Sequence, residues 1–138
     1  MDTGLLSDSL TGIVAHLVYF GMASVAVAVF VGLYIAVTPH RELSLIRQGN
    51  SAAAISLGGA ILGYTVPLAK AVAQSESIAD MLLWSAVALV AQLLAYGITR
   101  LVLPKLSSEV AAGSVAPGIF LAAISIAIGL LNAAAMTE

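Results

Sequence analysis

The chain contains no cysteine and very little charge. The first absence removes disulfides, thiol nucleophiles and thiolate metal sites together. The second is as informative, because 9% charged residues, against about 25% in a globular domain, cannot coat a surface that faces water. No two histidines or carboxylates have metal-ligand spacing, so neither a metal nor a cofactor is expected. A P-loop, a nucleophile elbow and a paired-carboxylate arrangement are all missing, which points away from an enzyme. The formal charge is −2 with the few basic residues scattered, which excludes nucleic acid as a partner. Met1-Asp2-Thr3 lacks the basic start of a cleavable signal peptide, so the first apolar segment is expected to stay as an anchor.

What is present is hydrocarbon. Apolar residues make up 61% of the chain, and the mean hydropathy is +1.08. They fall in runs long enough for a bilayer, which needs about 20 residues at about 1.5 Å each to cross about 30 Å. Four spans are predicted, at roughly Ile13 to Val37, Ser51 to Ala73, Ile78 to Leu103 and Ala116 to Met136. The expected fold is an all-α membrane protein with residues 1–138 as one integral domain. Arg41 and Arg47 follow the first span, and Arg100 and Lys105 lie at the end of the third. Basic residues in short loops are held in the cytoplasm, so these four orient both termini toward the non-cytoplasmic side.

The second half repeats the punctuation of the first. Pro39 aligns with Pro104 and Gly49 with Gly113, each pair bracketing the linker after an odd-numbered span. Two tandem two-helix units follow, about 13–73 and about 78–136, inserted in the same sense. In the first linker Thr38 is expected to cap a short helix starting at Pro39, with Gly49 as its left-handed stop. Leu43 and Ile46 share one face of that helix, and Leu106 and Val110 offer the same in the second linker. Both are read as elbow helices lying in the membrane interface.

Every span carries a stripe of small residues, the feature that lets membrane helices approach closely. Ser24, Ala28 and Gly32 mark the first; Gly59 and Gly63 the second; Ala91, Ala95 and Thr99 the third; Ser125, Gly129 and Ala133 the fourth. Whether the stripes meet within one chain or between chains is open at this level, and a homo-oligomer is the expectation. Pro67 is expected to bend the second span and free the carbonyl of Gly63. Lys70 reads as a lysine snorkelling to the outer interface beside Glu76 or Asp80, or else as an outward-facing anion or proton site. Gln92 and Asn132 read as hydrogen-bonding glue between helices, or as pore lining. Ser77-x-x-Asp80 matches a capping box at the start of the third span.

The strings Thr38-Pro39-His40-Arg41-Glu42, Leu45-Ile46-Arg47-Gln48-Gly49-Asn50, GGAILGYTVPLAKAV, Asp80-Met81-Leu82-Leu83-Trp84 and Gly129-Leu130-Leu131-Asn132 together resemble the bacterial domain-of-unknown-function family 350. The likeness covers nearly the whole chain. It implies a small inner-membrane protein of two-helix units with no established substrate or reaction, and an association with membrane-stress genes, including relatives of phage-shock protein A. From residues and resemblance together, the expected function is a non-enzymatic oligomeric module that packs or scaffolds the bacterial inner membrane. Its partners would be the lipid bilayer and a peripheral cytoplasmic stress protein. The alternative is a small oligomeric channel or transporter using Lys70, Gln92, Asn132 and the Pro67 kink.

Overall fold

A computed structural model describes residues 3–39 and 41–136 of the chain. The described residues form helices and no strand: α1 (Thr3–Val37), α2 (Glu42–Arg47), α3 (Ser51–Gln74), α4 (Ile78–Val102), α5 (Leu106–Ala111) and α6 (Val115–Ala135). Helices α1, α3, α4 and α6 are each long and apolar enough to cross a membrane. Inside hydrocarbon a helix is the economical solution, because it satisfies every backbone N–H and C=O within one segment.

Three span boundaries fall within two residues of the predicted ones, and α1 departs from them. It starts at Thr3 rather than Ile13, and its 35 residues reach about 52 Å at the helical rise, well beyond about 30 Å of hydrocarbon. The hydropathy that located Ile13 measures what a bilayer will hold, not where a helix must begin. Nothing in residues 3–12 breaks the helix, and Thr11 Oγ1 donates to the Ser7 carbonyl at 3.0 Å. The first turns of α1 therefore project past the apolar layer.

The linkers also correct one expectation. Thr38 does not cap α2; its backbone N–H and its hydroxyl both turn back to the Tyr34 carbonyl, each at 3.0 Å, closing α1. A threonine beside the orphan carbonyls of a helix end has this bond at hand. Pro39 consequently lies outside α2, which begins at Glu42. The ends of the short helices are alike. Asn50 N–H bonds to Leu45 O and Gly49 N–H to Ile46 O, while Ser114 N–H bonds to Glu109 O and Gly113 N–H to Val110 O. These paired bonds are Schellman closures, and they need a left-handed residue, supplied by Gly49 at φ +87 and Gly113 at φ +90.

Helix α3 stands at the centre and touches α1, α4 and α6. Asn50 caps it, with Oδ1 accepting from Ala53 N–H at 3.0 Å, and Ser77 caps α4 by accepting from Asp80 N–H at 3.1 Å. The most extensive contact joins α3 to α6. Since Gly118 meets Ala52, Gly59 meets Ala122 and Gly63 meets Ser125 in turn, the two helices run parallel. Helix α1 is held differently. Only Phe30 and Tyr34 on it are buried; Phe30 stacks on Tyr64 with ring centroids 4.3 Å apart, and Tyr34 meets Tyr96 edge-on at 5.9 Å.

Candidate functional site

The α3–α6 seam is built from absent side chains. A Cβ on Gly59 would run into the backbone of Ala122, and one on Gly118 would lie 2.7 Å from the Ala52 carbonyl oxygen. A Cβ on Gly129 would collide with the Gly63 carbonyl. Pro67, buried inside α3, has no N–H to offer that carbonyl. The oxygen that proline frees thus points at the α6 glycine and is covered by helix backbone, not by a cavity.

Gln92 locks a third helix onto the seam. Its Nε2 donates to the Ser125 carbonyl at 3.0 Å, and a Cβ on Gly63 would lie 2.7 Å from that nitrogen. Glycine at position 63 is what lets the amide in. Gln92 and Ser125 are both wholly enclosed by protein. Gln92 Oε1 and Ser125 Oγ are buried there without a hydrogen-bond partner, leaving a polar pair at mid-membrane depth that a buried group ordinarily avoids.

The other sequence-singled residues do not join this node. Lys70 is half-buried, and among the described residues no ion pair links it to Glu76 or Asp80. Asn132 lies at the same end of the bundle on α6, half-buried, with its Nδ2 buried and unpartnered. Arg41, Arg47, Arg100 and Lys105 are all exposed, gathered at the opposite end around α2 and α5. Ala95 and Thr99 are buried on α4, and Ser125, Gly129 and Ala133 on α6. On α1 the stripe is exposed at Ser24, Ala28 and Gly32, with Ser24 bordering the cleft toward α3 and Ala28 and Gly32 on the outer side. A Cβ on Gly21 or Gly32 would meet nothing within 4 Å.

Three groups went unnoticed in the sequence. Glu42 is completely buried, at the start of α2 and within electrostatic reach of the Tyr34 hydroxyl. Leu43, which shares the apolar face of the short helix with Ile46, is 46% exposed, while Ile46 is half-buried. Tyr96 and Ser107 hydroxyls bond at 3.1 Å, tying α4 to α5. Asn50 Nδ2 donates to the carbonyls of Val110 at 2.9 Å and Ala111 at 3.2 Å, joining the first linker to the second. A polar residue in a short linker ordinarily faces water, so its type alone carried no signal; only the cap role of Asn50 before an apolar run was readable.

Among the described residues no group of three or more His, Asp or Glu side chains is placed to hold a metal ion. The inner membrane protein YjfL of Escherichia coli is 38% identical over 128 residues, 93% of this chain and 97% of its own length. The transmembrane protein YshE of Bacillus subtilis is 27% identical over 118 residues, 84% of this chain and 88% of its own. No solved structure matches. With the pattern of the family described as Domain of Unknown Function (DUF350) matching residues 8–136, this four-span helical membrane chain belongs to that family.

Proposed function

We propose that the protein is a non-enzymatic packing module of the bacterial inner membrane that assembles into homo-oligomers through the outward face of α1. The observation that carries this reading is an imbalance among the small-residue stripes. Those of α3 and α6 are filled by backbone from within the chain, whereas on α1 Ala28 and Gly32, with Gly21 on the same side, are exposed, and a Cβ on either glycine would meet nothing within 4 Å. Hydrocarbon gives no reason to keep a notch open against lipid, but a second helix gains dispersion contacts there. Phe30 and Tyr34 point into the bundle, and at 3.6 residues per turn the small face lies on the far side of α1 from them.

The module consists of two tandem two-helix units, each with an interfacial elbow. Supporting this are the short helices that follow α1 and α4, their matching Schellman closures, and the parallel course of α3 and α6. The exposed Arg41, Arg47, Arg100 and Lys105 mark the cytoplasmic face, leave both termini on the other side and offer a basic surface to a peripheral stress protein. A channel role for Gln92 requires it to meet water, and it is fully buried. The test is reconstitution into liposomes with ion and small-solute flux measured for the wild type, Lys70→Met and Gln92→Leu. Flux no higher than in protein-free vesicles supports the module; flux that either substitution alters at unchanged assembly replaces it with the channel.

A further inference from the structure

A groove of about 680 Å³ runs between α1 and α3, on the side of α1 turned toward the bundle. Its size falls within the about 300–1,000 Å³ of ligand sites. Ala23 and Val27 of α1 and Leu68 and Val72 of α3 supply much of its apolar wall. Along α3 it extends from Thr65 to Ser75, which is about 15 Å at the helical rise, or one leaflet of a hydrocarbon layer about 30 Å thick. At its inner end the Phe30–Tyr64 stack brings α1 against α3.

Polar groups lie at the outer mouth. Counting about 20 residues back from Val37 places His16 at the edge of the apolar layer. His16 lines the groove and stacks on Phe20 at 5.9 Å. Across from it Ser75, the residue that ends α3, also lines the groove. Its Oγ is buried with no hydrogen-bond partner. An apolar trough one leaflet long with the hydrogen-bonding side chains His16, Tyr19 and Ser75 toward its outer end has the polarity of a lipid molecule. A membrane-crossing helix does not fit, because the trough stops halfway.

We propose that this groove is a specific site for one phospholipid, with an acyl chain lying between α1 and α3 and the phosphate accepting hydrogen bonds from His16 and from Ser75, whose hydroxyl turns into the groove when the lipid is bound. The groove touches the small-residue stripe of α1 only at Ser24; Gly21, Ala28 and Gly32 lie outside it, and the site does not depend on assembly through them.

The probe is a phospholipid carrying a photoactivatable group on its acyl chain, with the matching diacylglycerol as the phosphate-free control, in nanodiscs holding full-length protein. Labelling of groove residues is expected to exceed that of lipid-facing Leu94 and Leu130 by about ten-fold. Ala69→Phe, which fills the groove, is expected to abolish the excess, and Val72→Phe does the same from a neighbouring position should the first variant fail to fold. Ser75→Ala combined with His16→Ala should lower phospholipid labelling about ten-fold, the value of a hydrogen bond to a charged group, and leave diacylglycerol labelling unchanged. Even labelling over all lipid-facing helices overturns the site. So does groove labelling by diacylglycerol equal to that by phospholipid, or a groove occupied by a second copy of the chain.

Discussion

The carbonyl oxygen of Gly63 occupies the space that a side chain at Gly129 would need. Pro67 leaves that oxygen without its helical N–H, and the backbone of α6 closes over it. Proline on one helix and glycine on its neighbour are therefore two halves of one device. Adding a methyl group at Gly129 forces backbone apart, so Gly129→Ala is expected to destabilise the fold by about 1–3 kcal/mol, the range for overpacking a tight interior. Gly97→Ala, where a Cβ meets nothing within 4 Å, serves as the control and leaves folding unchanged. Unfolding in mixed detergent micelles reads both.

Helix α1 depends on two aromatic residues for its attachment. Phe30→Ala removes one half of the 4.3 Å stack with Tyr64 and should cost about 3 kcal/mol. A double-mutant cycle with Tyr64→Ala should return a coupling of about 1 kcal/mol. Cross-linking between α1 and α3 should fall in Phe30→Ala while α3–α6 cross-linking holds.

Asn50 performs two tasks that one substitution can separate. Asn50→Asp keeps the acceptor that caps α3 but loses the donor to Val110 and Ala111; Asn50→Ala loses both. The alanine variant should be less stable by about 1 kcal/mol for the cap alone. Hydrogen exchange in residues 106–111 should accelerate in both variants, because each frees the second linker from the first.

Gln92 makes one interhelical hydrogen bond, of the kind worth about 0.6 kcal/mol in a membrane bundle. Gln92→Leu should therefore reduce stability by less than about 1 kcal/mol, and Gln92→Ala by about 2 kcal/mol or more because it also opens a cavity. A large loss in the leucine variant would mean that the amide satisfies more than the Ser125 carbonyl.

Much of the architecture was readable from local chemistry. Apolar run lengths located α3, α4 and α6, and Gly49 and Gly113 marked the ends of the two short helices, because both signals act over a few residues. Ile13 was read as the start of a bilayer span, and the helix itself begins earlier, at Thr3, since hydropathy registers the bilayer and not the helix. Thr38 was misread because one hydroxyl can serve the helix before it as easily as the one after it. The burial of Glu42 and the bridge from Asn50 to Val110, 60 positions apart, arise only when the two linkers meet in space. Gly63, Gln92 and Ser125 were each legible as residue types suited to helix contact. That they form one node depends on the parallel course of α3 and α6, which no single span encodes.

The unfilled face of α1 is most directly probed by cysteine pairing, which the absence of native cysteine makes unambiguous. Ala28→Cys lies on the small face, while Leu94→Cys sits on the lipid-facing side of α4, where Leu94 is 61% exposed. A disulfide needs Cα atoms about 4.4–6.8 Å apart, so it reports close helix approach and little else. Mild oxidation of native membranes should convert Ala28→Cys to covalent dimers and leave Leu94→Cys monomeric. Ala28→Cys that stays monomeric, or pairs no better than Leu94→Cys, would contradict assembly through α1.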